Sequence, residues 1–498
     1  MNHRKSKIEK RKSPSALGEL DQRYVWHPFT QMRDWVKAEP TVIVAGRGAV
    51  LRDARGREFL DANASIWTNL HGHNHPHINA ALRRQLGRIA HSSALGLANA
   101  PASVLAERLV RAANPRQPGS RRLNPASLSP QGVVLEKVFF SDDGATAMEV
   151  ALKLAYEFTR RTGRSRRPRF LSLQGAYHGD TVGAMALGHI ELFHQAFAGL
   201  VFKTDSVMAP YCYRCPFNRA KPQRADAREY RVCGWECLDQ VERKFALRRR
   251  RGNSYAGFVF EPLIQGAAGM IPQPAGWLRR AAEIARGYGA LLLADEVMTG
   301  FGRTGAGPDS SRVPVLFASH QEGVQPDFLA LAKGLTGGYL PMAATLTTEP
   351  VFAAFLGEYE EFRSFFHGHS FTGNQLGAAA ALASLELLGD ADSTRERRRI
   401  EQVMRQELAR LWPLAHVGDI RQVGLVAGIE LVRDWRTRAP YELPERAGFR
   451  VCEAMARRGV LTRPIGSVVV LMPPYCASAS QVGRMVEALR EAIREVLG

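Results

Sequence analysis

Residues 291–297 read LLLADEV, and residues 328–338 read FLALAKGLTGG. Each stretch is a short continuous apolar run that stops on a charged side chain, Asp295 in the first and Lys333 in the second. Strands buried on both faces have this pattern, because a parallel sheet covered by helices leaves no solvent-facing side. The same pattern appears in KVFFSDDG (137–144), RFLSLQG (169–175) and YAGFVFEPLIQG (255–266). Between the first two lies ATAMEVALKLAYEFTRR (145–161), whose apolar residues recur at helical spacing. The alternation predicts an α/β fold with a mostly parallel sheet, in which ligands sit at the carboxyl ends of the strands.

Working outward, residues 76–375 form the expected large domain, and residues 20–75 and 376–498 a smaller α+β domain contributed by both chain ends. TVIVAGRGAVLRDARGREFLDA (41–62) reads as a pair of hairpins. Residues 1–19 are basic and polar and read as a disordered tail. They lack the apolar stretch that a secretory signal requires.

The strand ends carry the chemistry. Only 11 of the 67 lysines and arginines are lysines, and past Lys244 the single lysine is Lys333. Arginine stays charged in proteins, whereas a buried lysine can lose its proton and attack a carbonyl. A carboxylate at Asp295, held where hydration is restricted, suits a cationic partner such as a protonated ring nitrogen. Gly144 opens a helix whose first N–H groups form an anion site. Tyr177 and His178 in GAYHGDT (175–181) could lie against a flat ring or simply pack on the core. The glycines, Ser370 and Thr372 of FFHGHSFTGNQ (365–375) offer short donors for a phosphate. An amine, an acid and an anion cradle are the needs of pyridoxal phosphate. A magnesium-dependent nucleotide hydrolase, with Asp295 on the metal and Glu296 activating water, would also end a strand in this way. That reading needs G-x-x-x-x-G-K-[ST], and the chain contains no Gly-Lys pair.

Composition narrows the class. The 498 residues are 45% hydrophobic and 23% charged, ordinary for a globular protein. No apolar run reaches the ~20 residues of a membrane span, so a cytoplasmic enzyme is expected. The formal charge of +19 favours polyanions in general. Its clusters, RRTGRSRRPR (160–169) and LRRRRG (247–252), carry no interleaved aromatics, and nucleic acid is not an expected partner.

Four of the six cysteines, Cys212, Cys215, Cys233 and Cys237, form C-x2-C-x17-C-x3-C in an insertion near 205–250. The spacing is close to that of structural zinc sites, and free thiols in a surface excursion are the alternative. No catalytic metal is assigned. HGHNHPHI (71–78) alternates histidines with no acid or cysteine beside them and reads as a turn.

LLLADEVMTGFGRTG (291–305) together with PDFLALAKGLTGGYLP (326–341) resembles the class III pyridoxal-phosphate aminotransferases. The likeness runs along nearly the whole chain from about residue 20. It implies fold type I, with a seven-stranded sheet, and a homodimer with shared active sites. Lys333 then matches the lysine that links to the cofactor aldehyde, and Asp295 the partner of the ring nitrogen. Gly144 and Ala145 match the phosphate-binding pair, Tyr177 the aromatic at ring and substrate, with His178 beside it. His369 and Ser370 match the pair that reaches the phosphate from the other subunit, and Gly368 lies next to them. Arg463 matches the arginine for the substrate carboxylate, and Arg303 a second arginine near the substrate path. RYVWHPFTQM (23–32), HGHNHP (71–76) and LTRPIGSVVVLMPP (461–474) are similar to the branch of the class that aminates 8-amino-7-oxononanoate on the way to biotin. S-adenosylmethionine is the usual amino donor in that branch, and lysine serves in a subgroup. An ω-aminotransferase acting on ornithine, 4-aminobutyrate or a polyamine is the other possibility within the class. The chain departs from the branch pattern at the substrate pocket: Phe29 and Ile66 stand where a Tyr and a Trp are usual, the latter followed by Trp67. Phe29 can pack on an aliphatic chain but has no hydroxyl to offer.

Overall fold

A computed structural model describes residues 13–114, 132–305 and 315–498. Its centre is a seven-stranded sheet. In chain order the strands are β1 (Leu135–Ser141), β2 (Phe170–Leu173), β3 (Asp205–Val207), β4 (Gly257–Phe260), β5 (Leu291–Asp295), β6 (Phe328–Leu331) and β7 (Ala343–Thr348). Their spatial order is β1-β7-β6-β5-β4-β2-β3. β7 is antiparallel to both of its neighbours, and the other pairings are parallel, so six strands point the same way. All residues of β5 and β6 are buried, as their continuous apolar runs require.

Helix α1 (Gly144–Arg161) covers one face of this sheet. Ala147, Met148, Ala151, Leu154, Ala155 and Phe158 fall on its inner stripe and share a core with Val259, Leu293, Phe328 and Ala343 from the strands. Asp143 caps it: its carboxylate accepts from Thr146 N at 2.8 Å, and the Thr146 hydroxyl accepts from Asp143 N at 2.9 Å. That reciprocal cap stabilises the helix by about 1 kcal/mol and fixes where its first turn points.

The two chain ends meet. Strands at Ile43–Arg47, Val50–Asp53 and Glu58–Asp61 form an antiparallel meander, and Val460–Leu461 adds to it in parallel. A second sheet is built from Val417–Val423, Val426–Asp434, Ala439–Pro440, Pro464–Ile465 and Val468–Leu471. The cysteine-bearing stretch after β3 docks on this second sheet. Arg214 makes a forked pair with Glu430 at 2.9 and 2.6 Å, and Arg438 donates to Tyr213 O at 2.8 Å.

The N-terminal expectation needs a correction. Residues 1–12 lie outside the described residues, but Pro14–Tyr24 is a helix, so the 1–19 tail does not extend to residue 19. Ser13 caps the helix by accepting from Ala16 N at 3.2 Å, and Pro14 takes the first helical position, where its missing N–H costs nothing. Gln22 then ties it down by donating to Trp35 O and Ala38 O. The basic charge of the tail obscured this Ser-Pro start.

Candidate active site

Because β1, β2, β4, β5 and β6 run in the same direction, their carboxyl ends open on one edge of the sheet. A cavity of about 670 Å³ lies there. Its lining includes Trp67, Gly144, Ala145, Tyr177, His178, Glu261, Asp295 and Lys333. Strand register explains the meeting: Asp295 pairs with Ala330, and Lys333 follows two residues beyond the end of β6.

Asp295 is buried and fully engaged. Its Oδ1 accepts from Val297 N at 3.0 Å, and its Oδ2 lies 2.7 Å from His178 Nδ1. His178 is also buried, and its Nε2 has no partner. The contact through Nδ1 orients the ring and leaves Nε2 unpartnered in the cavity lining. Lys333 begins a short 3-10 turn, and its ammonium lies 5.1 Å from the centre of the Trp67 ring. Burial pushes its pKa below the usual lysine value, and Asp295 and Glu261 oppose that only in part. Glu261 is pushed up to about 7 by burial, although it accepts from Gly266 N at 2.8 Å and Tyr177 N at 3.2 Å.

The opposite wall is the start of α1. A helix's first N–H groups have no intrahelical acceptor, so Gly144 and Ala145 present donors and the positive dipole end. Backbones are closely packed here. A Cβ on Gly144 would lie 2.6 Å from Val297 Cγ1, and one on Gly179 (φ +122°) would lie 2.3 Å from Ala145 Cβ. Only glycine lets the 175–181 loop and β5 close on the helix end.

Trp67 is placed by an unusual turn. Ala64, Ser65, Ile66 and Trp67 all have positive φ, from 43° to 71°. Left-handed conformation costs roughly 1–2 kcal/mol per non-glycine residue, so the turn must be held from outside. Asp61 accepts from Ser65 N and Ser65 Oγ at 3.0 and 2.8 Å, and Asn63 accepts from Trp67 Nε1 at 2.8 Å. Ile66, adjacent to Trp67, is turned outward and half exposed.

Beyond the lining, at the mouth that Tyr177 borders, three distant segments meet. Phe29 (φ 47°) gives its carbonyl to Arg463 Nη2 at 3.1 Å, and its ring is 6.5 Å from Tyr177. Phe193 lies 5.2 Å from Phe29 and 6.2 Å from Tyr177. The Tyr177 hydroxyl donates to Asp180 at 2.5 Å.

Other sequence candidates lie elsewhere. Arg303 is fully buried; its guanidinium donates to Pro473 O at 2.7 Å and Asn69 O at 2.8 Å, with Tyr475 alongside. Those two carbonyls tie it between the chain ends, and its Nε has no partner. Glu296 faces away from the cavity and accepts from Ala318 N, Ser319 N and Ser319 Oγ. Gly368, His369 and Ser370 stand outside the cavity lining, although His369 Nδ1 is 3.6 Å from Asp142, which does line it. The histidines of 71–77 have separate partners: His71 meets Ser384, His73 meets Asp61 and His77 meets Glu386. Among the described residues no group of three or more His, Cys, Asp or Glu is arranged to hold a metal ion. Cys212, Cys215, Cys233 and Cys237 are unbridged and line one small hollow with Arg231 and Trp235.

Two residues escaped sequence reasoning, Glu261 in the cavity lining and Phe193 against the ring of Tyr177. Glu261 ends the apolar run FVFE, the signal that singled out Asp295 in LLLAD, and the same rule applied there would have found it. Phe193 sits in IELFHQAF, where nothing local marks it.

The amine, the buried acid with its histidine, the helix N-terminus and the cavity size together fit pyridoxal phosphate. Residues 32–493 match the family model described as aminotransferase class-III. An adenosylmethionine-8-amino-7-oxononanoate aminotransferase from Geobacter sulfurreducens is 45% identical over 97% of this chain and 98% of its own length. Its counterpart from Nitratidesulfovibrio vulgaris is 48% identical over 96% and 82%. Among solved structures, the enzyme of that name from Methanocaldococcus jannaschii superimposes with a TM-score of 0.83 at 37% identity, covering 96% of this chain and 99% of that one. An amine transaminase from an uncultivated Pseudomonas species, in its pyridoxal-phosphate-bound form, gives 0.81 at 32% identity, over 95% and 99%.

Proposed function

The chain belongs to the class III aminotransferases, and from that premise we propose that it moves an amino group from S-adenosylmethionine to the 7-oxo group of 8-amino-7-oxononanoate, giving 7,8-diaminononanoate for biotin. One observation carries this reading: a buried amine on the floor of a cavity that Trp67 and Tyr177 line, in a chain that matches relatives named for this reaction along its whole length.

Pyridoxal phosphate is the cofactor; when bound it supplies an aldehyde that carries the amino group between two substrates and a ring that draws electrons from the carbon losing its proton. Lys333, its proton affinity lowered by burial, presents a free amine to that aldehyde and afterwards takes and returns the proton at the substrate carbon. Asp295 holds the proton on the ring nitrogen, and His178 keeps that carboxylate oriented. Gly144 N and Ala145 N receive the phosphate. Arg463 takes the distal carboxylate as a forked pair, and Phe29, Trp67 and Tyr177 bound the aliphatic path, with Ile66 turned away from it. Arg303 supports this pocket from behind.

Each active site borrows Gly368, His369 and Ser370 from a second copy. What supports this is the exposure of apolar side chains around them: Phe366 at 73%, Phe371 at 59% and, across a neighbouring loop, Leu95 at 92%. Sedimentation should give twice the chain mass.

The test is a pair of half-reactions on the yellow, cofactor-loaded protein. S-adenosylmethionine should bleach the visible absorption and 8-amino-7-oxononanoate should restore it. Bleaching by lysine alone would reassign the donor. Restoration by succinic semialdehyde, but not by 8-amino-7-oxononanoate, would move the chain to the ω-aminotransferases.

A further inference from the structure

We infer that Phe193 is a specificity-determining residue, the outer jaw of an aromatic clamp that selects the unbranched aliphatic chain of the acceptor. The inference rests on the function proposed above and adds a residue that the family resemblance does not supply.

Three observations converge on it. Phe193, Phe29 and Tyr177 form a closed triangle of ring contacts at 5.2, 6.5 and 6.2 Å, all edge-to-face. None of the three belongs to, or packs against, any of the hydrophobic core clusters. Tyr177 lines the cavity and the other two rings abut it, and aromatic side chains that find each other outside the core in this way are available for a ligand rather than spent on packing. Two of the three corners are also held in place at a cost. Phe29 sits at φ 47° with its carbonyl taken by Arg463, and Tyr177 has its hydroxyl tied to Asp180, which leaves ring surface facing the path.

Phe193, like Phe29, has no polar group on its side chain, so it can act only through apolar contact. It stands on a short helical turn, Glu191–His194, anchored beneath by His194. That ring is buried, accepts from Ile190 N at 3.3 Å and lies nearly parallel to Tyr177. The jaw is therefore braced on the same tyrosine that lines the cavity. Between the Lys333 amine and Arg463, the acceptor presents a run of methylenes. A clamp of three ring edges fits such a run and offers nothing to a polar or branched chain.

The experiment compares wild type with Phe193→Ala and Phe193→Leu as cofactor-loaded proteins. Visible absorption and melting temperature establish that the variants are folded and loaded. Binding of 8-amino-7-oxononanoate is followed by calorimetry, and turnover with it and with a homologue two methylenes shorter. Phe193→Ala should weaken binding and raise KM for the acceptor roughly tenfold, with kcat changed less than about threefold. It should also lose most of the wild-type preference for the longer chain, and Phe193→Leu should fall between. Variants that bind the acceptor as tightly as wild type and keep the chain-length preference would overturn the inference. A wild type that binds and aminates no 8-amino-7-oxononanoate would instead overturn the underlying function, and the two failures are distinct.

Discussion

The floor and the mouth of the cavity are built on opposite plans. The floor consists of residues at the ends of neighbouring parallel strands, Asp295 after β5 and Lys333 after β6, whose relative positions follow from sheet register. The mouth joins Phe29, Phe193 and Arg463, which come from the N-terminal region, the loop after β2 and the C-terminal region. The floor is rigid because every residue of its strands is buried; the mouth is held by one hydrogen bond and ring contacts. Chemistry that all class III enzymes share therefore sits where register enforces it, and substrate choice sits where a few contacts can be exchanged.

Changes at the floor should be the most damaging. On the proposed function, Lys333→Ala removes both the covalent anchor and the proton carrier, and kcat should fall by at least about a thousandfold with loss of the visible band of linked cofactor. A variant retaining both would break the assignment of the floor. Asp295→Asn keeps the shape but not the charge that stabilises a protonated ring nitrogen; kcat should drop roughly 100- to 1000-fold while the phosphate end still binds. Equal activity would transfer that role to another group.

At the mouth the effect should appear in KM. Arg463→Ala should raise KM for the acceptor roughly 10- to 100-fold and leave the donor-independent absorption spectrum unchanged. If kcat fell instead, the arginine would belong to the chemistry of the floor, and the comparison would fail.

The smallest effect concerns Glu296, which adjoins Asp295 but faces away from the cavity. Burial raises its pKa to about 7. A carboxyl raised above its unfolded value, near 4.5, contributes stability that is complete below pH 4.5 and is lost as pH rises through about 7. Glu296→Gln should cost about 1–3 kcal/mol through one lost backbone acceptor and flatten the fall in melting temperature between about pH 5 and 7.5. An unchanged pH slope would assign the raised pKa no part in stability.

Much of this site was legible before any coordinates. Apolar runs that stop on Asp295 or Lys333 are local signals, because a buried strand must be apolar and a charge can be placed only where it ends. Glu261 carried the same signal. The packing of Arg303 was not legible: its neighbours in sequence do not reveal that Pro473 O and Asn69 O accept from its guanidinium.

By itself, the sequence determined the sheet, the helix that Gly144 opens and the residues Asp295 and Lys333 at the cavity floor, since periodicity and strand ends are properties of contiguous residues. Only the tertiary structure decided the rest. It closed Phe193 onto Phe29, gave Arg463 a fixed place, and held Ala64–Trp67 in a left-handed turn that none of those four residues favours. Such features depend on contacts between segments far apart in the chain, where the free energy of packing and of Asp61's hydrogen bonds outweighs local preference.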